Sequence, residues 1–236
     1  MDSYRKYAII AGVLFIIATG ADILSFLFLG PITDTNYLVS VSENKGLVAT
    51  GALLLFIGGA AAIGIAISLY PVLKKFNAGL ALGAVVFRTV EGVLWFVSVH
   101  GLLLLITLSQ QFVKAGAPDA SYFQTLGDLV LAGFVGGEAA VGAGLAFSIG
   151  CLLYYIIFYR TKLVPRWISV WGIVAAILTM SAFVLTILGL IAPGSTERDV
   201  LTALPMLPQE MVLAVWLIVK GFNPSVIAQS EKPEIK

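Results

Sequence analysis

Six long apolar runs constrain this chain more than any other feature. They extend from Tyr7 to Leu29, Gly46 to Tyr70, Ala78 to Leu108, Leu126 to Tyr159, Trp167 to Ala192 and Pro205 to Phe222, and most charges fall in the short segments between them. A hydrocarbon layer about 30 Å thick takes about 20 apolar residues per helical crossing. Backbone in lipid must also satisfy its own N–H and C=O groups, which leaves helices as the structure such runs can form. The expectation is an all-α polytopic transmembrane helix bundle of six spans, a single domain over residues 1–236. Composition agrees: 11% of residues are charged, against about 25% in soluble domains. The third and fourth runs are too long for a perpendicular crossing and are expected to tilt or project, with Pro118-Asp119 as a helix start ahead of the fourth.

The opening MDSYRKYAIIAGVLFIIATG has the basic start and apolar stretch of a cleaved leader. Its apolar part runs on past Asp22 to Leu29 without a small-x-small cleavage pattern, so it reads as the first span.

Orientation follows from basic residues. Arg5, Lys6, Lys74, Lys75, Arg160, Lys162, Arg166, Lys220, Lys232 and Lys236 fall on one side of the threading, and Lys45, Lys114 and Arg198 on the other. The positive-inside rule then places both termini in the cytoplasm. Tyr4, Tyr7, Tyr70, Phe76, Tyr154, Tyr155, Tyr159, Trp167, Trp171 and Phe222 map to the same side, as an interfacial aromatic belt would.

Several functional classes are disfavoured. A net charge of +1 with no Lys/Arg-rich block argues against a nucleic-acid partner. Cys151 is the only cysteine, so no intrachain disulfide or CxxC pair arises, and it reads as a packing residue in an apolar run. GxGxxG, Walker A, GxSxG and HExxH patterns do not occur. His100, the one histidine, lies nine residues from Glu91 and so on the opposite helix face. A lone histidine with scattered carboxylates is a poor zinc site, and no metal centre is expected.

Asp22, Arg88, Glu91, Glu138 and Glu210 nevertheless fall inside the apolar runs. An ionised group at the bilayer centre costs about 2.5–3.5 kcal/mol on insertion scales, so each needs a partner, water or a proton. At about 1.5 Å per residue, Glu91 lies about 18 Å in from Gly79, Glu210 about 18 Å in from Phe222 and Asp22 about 22 Å in from Tyr7. Three carboxylates on three helices are thus expected at nearly one level. Arg88 falls about 13 Å in, and Glu138 about 31 Å from Tyr159, near the outer boundary.

Arg88 and Glu91, in RTVE, are an i,i+3 pair on one helix face and can satisfy each other. Such a pair can fix helix packing with no chemistry at all. One arginine does not balance Asp22, Glu91 and Glu210 together, however. Protons, water or a bound cation must complete the site, and these are ingredients of transport or sensing. Gln209 is expected to donate an amide hydrogen bond to the site. Trp95, one turn beyond Glu91, either borders the same cavity or packs. Small residues in the second and fourth runs, including Gly133 and Gly137 at small-xxx-small spacing, are expected to let helices approach closely.

At RTVEGVL, LVPRWISVWGI and LPQEMVLAVWLIVKGF the chain resembles, over nearly its whole length, a family of bacterial membrane proteins known as domain of unknown function 4386. The markers are Arg88 with Glu91, Pro165 to Trp167, and Glu210 followed by Trp216 to Phe222. The resemblance implies a multi-pass protein of a bacterial or archaeal cytoplasmic membrane; it implies no reaction and no cofactor. The leading functional expectation is a small transporter or sensor that binds a cation, proton or small polar solute at a carboxylate-lined site opening outward. A non-catalytic assembly or stress-response protein, and an intramembrane lipid-modifying enzyme, are the alternatives.

Overall fold

The computed structural model describes residues 3–116, 120–135 and 138–230, and all regular structure among them is helical. The helices are α1 (Ser3–Phe28), α2 (Tyr37–Glu43), α3 (Lys45–Leu73), α4 (Ala78–Lys114), α5 (Ala120–Val130), α6 (Glu138–Thr161), α7 (Arg166–Ile187), α8 (Thr196–Val219) and α9 (Pro224–Ser230). Six stretches are long and apolar enough to cross a membrane: α1, α3, α4, Tyr122–Thr161, α7 and α8. The chain is a multi-pass helical membrane protein.

The spans form a closed ring. α1 packs on α3, α3 on α4, α4 on α6, α6 on α7, α7 on α8, and α8 returns to α1. Short connections make consecutive helices antiparallel neighbours. Between α3 and α4 the link is only a few residues, and Asn77 caps α4 by accepting from the Leu80 N–H at 2.9 Å. The ring's polarity is the reverse of a soluble protein's: Leu53 and Leu104 are more than half exposed, whereas Arg88 and Glu91 are buried. Apolar outer surfaces of this kind suit contact with lipid.

The buried apolar residues form two clusters. One joins α1, α3, α4, α6, α7, α8 and α9 around Phe15, Ile65, Tyr154, Tyr155 and Leu213. The other joins α2, α3 and α4 around Leu38, Val48, Leu55, Leu102 and Leu105. Along α4 the first cluster takes Ala81 and Ala84 and the second Leu102 and Leu105, so Arg88 and Glu91 fall between them.

Helix ends depart from the apolar runs for identifiable reasons. With 37 residues, α4 is about 55 Å long, and it projects to pack against α2 and α5. Within the fourth run α5 passes into a π-helical turn, Leu131–Val135, and α6 is described from Glu138. The expected start at Pro118-Asp119 lies outside the described residues. α7 ends at Ile187 rather than at Ala192 because Gly189 turns left-handed (φ 70°) and the Leu190 N–H reaches back to the Leu185 carbonyl at 2.9 Å. α8 starts nine residues before Pro205, where Ser195 accepts from the Arg198 N–H and Glu197 and Asp199 occupy the first turn. Hydropathy misses that polar turn.

Two expectations need correction. Tyr154, Tyr155 and Phe222 are not belt residues: all three are buried in the core, the tyrosines because α6 turns Cys151, Tyr154, Tyr155 and Phe158 inward at helical spacing. Gly133 makes no close approach, with open space where a side chain would sit, and Gly137 lies outside the described residues. The small residues of the second run do make the close contact, between α3 and α4, where a Cβ on Gly92 would stand 2.8 Å from the Gly59 carbonyl oxygen.

Candidate functional site

The Gly59–Gly92 approach sets the geometry of the bundle interior, because Gly92 adjoins Glu91. On the same face one turn earlier, Arg88 points inward, 2% exposed. Its Nη1 lies 3.0 Å from Glu91 Oε2. The pair is close without being aligned: Glu91 Oε2 and Arg88 Nε both lack a well-formed hydrogen bond. The guanidinium stacks over Phe147 with 4.9 Å to the ring centroid, a cation–π contact that offsets part of its desolvation. Gly150 makes room for the stem, since a Cβ there would come within 3.0 Å of Arg88 Cγ.

From the arginine a chain of polar groups runs through the core. Arg88 Nη1 faces Cys151 Sγ at 3.8 Å, and the Tyr154 hydroxyl donates to the same sulfur at 3.0 Å. Tyr154 and Tyr155 rings lie 4.5 Å apart. Tyr155 donates to Gln209 Oε1 at 2.5 Å, and Gln209 Nε2 donates to the Ile168 carbonyl at 3.2 Å. Gln209 therefore ties α6, α7 and α8 together, and its amide does not serve the carboxylates.

Glu210, on the next residue, accepts from the Thr19 hydroxyl of α1 at 3.3 Å. Pro205 and Pro208 lie inside α8 just before it; each removes one intrahelical hydrogen bond and weakens the helix there. Asp22 sits one turn beyond Thr19, with its carboxylate against Gly58 of α3, a position that any larger residue at 58 would contest. Asp22 is exposed at the bundle surface, whereas Glu91 and Glu210 are buried. All four charged groups lie within electrostatic reach of one another.

Of the residues singled out from the sequence, Asp22, Arg88, Glu91 and Glu210 thus converge. Trp95 packs on Gly59, one turn beyond Glu91. Glu138 opens α6, but its side chain lies outside the described residues. His100 is exposed and bonds the Phe96 carbonyl of its own helix at 2.9 Å. Among the described residues, no three His, Cys, Asp or Glu side chains gather closely enough to hold a metal ion. Thr19, Phe147, Cys151, Tyr154 and Tyr155 are additions from the structure. The signal for the last four was the spacing of 147, 151, 154 and 155, one inward stripe of a helix.

Fold and site define a polytopic helical membrane protein whose interior buries Arg88 with Glu91 and Glu210, with the exposed Asp22 in electrostatic reach of them. The chain belongs to the family described as Domain of unknown function (DUF4386), whose model matches residues 10–221, a stretch that contains the whole charged cluster. No curated protein and no solved structure shows a significant match to it.

Proposed function

We infer that the protein is a small transporter or sensor that takes up a proton or a monovalent cation at Glu91 and Glu210, with Asp22 as the accessible first acceptor. The reading rests on one observation: carboxylates from α1, α4 and α8 converge on a single arginine between two apolar clusters, and only Asp22 is exposed. If all four groups were ionised, the buried Arg88, Glu91 and Glu210 would hold one negative charge in excess and the exposed Asp22 would add a second, which a low-dielectric interior does not tolerate without a counter-charge. A proton or small cation supplies it. The cluster is tightly packed around Phe147, Gly150 and Gly92, which favours a proton or bare ion over a larger solute. In this reading both termini face the cytoplasm of a bacterial or archaeal cell, as the basic end of the bundle favours.

The test uses purified protein in proteoliposomes with a trapped pH-sensitive dye, under imposed proton and Na⁺ or K⁺ gradients. Native protein is expected to carry protons or ions, or to bind protons in a measurable titration. Glu91→Gln and Glu210→Gln proteins of native stability should lose that response, and Asp22→Asn should slow it. Unchanged flux and proton binding in both glutamine variants would overturn the reading.

A second reading has its own support, since the Arg88–Glu91 pair is buried and covered by Phe147. There the polar residues only fix helix packing. It requires the Arg88→Leu/Glu91→Leu double variant to keep every native response; loss of response in a well-folded double variant returns the weight to the first reading.

A further inference from the structure

The end of the bundle that carries the short α6–α7 and α8–α9 links holds a cavity of about 610 Å³. Its rim includes Lys162, Arg166 and Lys220, and its floor is built from Leu163, Phe222 and Asn223. Hydrogen bonds hold the two links together: Asn223 N–H donates to the Leu163 carbonyl at 2.9 Å and Asn223 Nδ2 to the Lys162 carbonyl at 3.4 Å. Lys162 has a left-handed backbone (φ 59°), so the turn is a specific conformation and not a loose loop.

Three cations stand there, and no acidic side chain of the described residues lies within ion-pair distance of any of them. Arg166 stacks on Tyr159, 5.3 Å from guanidinium carbon to ring centroid, and so is held at the rim. The negative end of α8, which would repel an anion, is masked from behind. Arg5 donates to the carbonyls of Leu217, Ile218 and Val219 at 3.2, 2.5 and 3.1 Å. α7 begins at the cavity with no side-chain cap on its first N–H groups, so its positive end adds to the field.

A second cavity of about 430 Å³ shares Trp216 and Lys220 with the first and continues along the outside of α7 and α8. It is lined by Trp167, Met211, Val212, Val215 and Val219. Trp167, Val215 and Val219 are all more than half exposed. A basic pocket at the membrane boundary opening into an apolar groove along the spans matches one kind of molecule: a phosphate head joined to an acyl chain.

We propose that Lys162, Arg166 and Lys220 bind the phosphate of an anionic glycerophospholipid whose acyl chain lies in the groove between Trp167 and Val215. Charge complementarity identifies the occupant, because three cations with no acidic partner among the described residues select an anionic head over a zwitterionic one. The position of the apolar groove identifies it as a lipid rather than a free anion.

The test is native mass spectrometry of the full chain released from nanodiscs of mixed phosphatidylglycerol and phosphatidylcholine, scoring lipid retained at rising collision energy. Native protein should retain phosphatidylglycerol preferentially. Removing the cations as Lys162→Ala, Arg166→Ala and Lys220→Ala should lower that retention about fivefold for each one removed. A charge-matched control, Lys6→Ala/Lys74→Ala/Arg160→Ala at the same end of the bundle, should retain it. Val215→Trp, which fills the groove without altering charge, should also lower it. Equal retention of the two lipids by native protein overturns the proposal, as does equal loss in the two triple variants. Full displacement by inorganic phosphate, or native retention in Val215→Trp, would show a free-anion site and would overturn it too.

Discussion

Replacing Arg88 with methionine keeps most of the side chain's volume but removes the cation around which Asp22, Glu91 and Glu210 gather. Deleting one partner of a buried ion pair costs about 3–5 kcal/mol, because the other charge is left uncompensated. Here three carboxylates would remain within mutual reach, so the loss should fall at the upper end. Glu91→Gln works in the opposite direction electrostatically. It removes one of the excess negative charges and leaves Arg88 facing Glu210 and Asp22, so its cost should be that of a poorly satisfied polar group, about 1–3 kcal/mol. For a chain of this size each kcal/mol lowers the melting temperature by roughly 2–4 °C. Arg88→Met should therefore melt on the order of 10 °C or more below native protein, and Glu91→Gln a few degrees below. Cys151 supplies the readout. It is the only cysteine, it is fully buried, and it stands 3.8 Å from the arginine, so a thiol-reactive fluorophore labels it only as the bundle opens. Equal losses in the two variants, or a stabilised Arg88→Met protein, would refute the view that the cluster is short of positive charge.

Three further outcomes follow from the geometry. Gly92→Val should destabilise by about 1–3 kcal/mol, since its Cβ would stand 2.6 Å from Ile63 Cγ1 and 2.8 Å from the Gly59 carbonyl oxygen; the same thiol-labelling melt reads it, and native stability would show that α3 and α4 are not so close. Tyr155→Phe should cost about 1–3 kcal/mol by stranding Gln209 Oε1, while Tyr155→Phe/Gln209→Leu, which removes both partners, should recover part of that loss in the same assay. Tyr37, in the segment outside the spans, donates to Asp128 at 2.8 Å, and burial first and Asp128 second push its phenol above the ordinary range. The folded state thus favours the protonated phenol, so this contribution is fully present below about pH 10, the ordinary tyrosine value, and is lost as pH rises above it. Hydrogen exchange should show α2 amides opening in that alkaline window in native protein, and Tyr37→Phe should remove the pH dependence.

Much of this protein is written along the chain. Length and apolarity of the runs produced six spans and their order, because a backbone in lipid has one economical solution and each helix satisfies its own hydrogen bonds. The charged residues of the site were legible for the same reason: Asp22, Arg88, Glu91 and Glu210 are conspicuous where ionisation is costly. Polar helix ends were less legible. The first turn of α8 depends on Ser195 as a cap and on Glu197 and Asp199, which hydropathy scores as loop.

What the sequence determined by itself, then, is that interior charge exists and exceeds what Arg88 balances. Tertiary structure alone decided which side chains complete the site and which serve elsewhere. Rotation of α6 about its axis turned Tyr154 and Tyr155 into the core and set Cys151 and Phe147 against the guanidinium. Packing against α6 and α7 drew Gln209 away from the carboxylates, and α1 brought Thr19 to Glu210. The physical reason is that spacing fixes which residues of one helix share a face, while the direction in which that face points depends on close contacts such as Gly59 with Gly92. Those contacts arise only when the six helices are packed together.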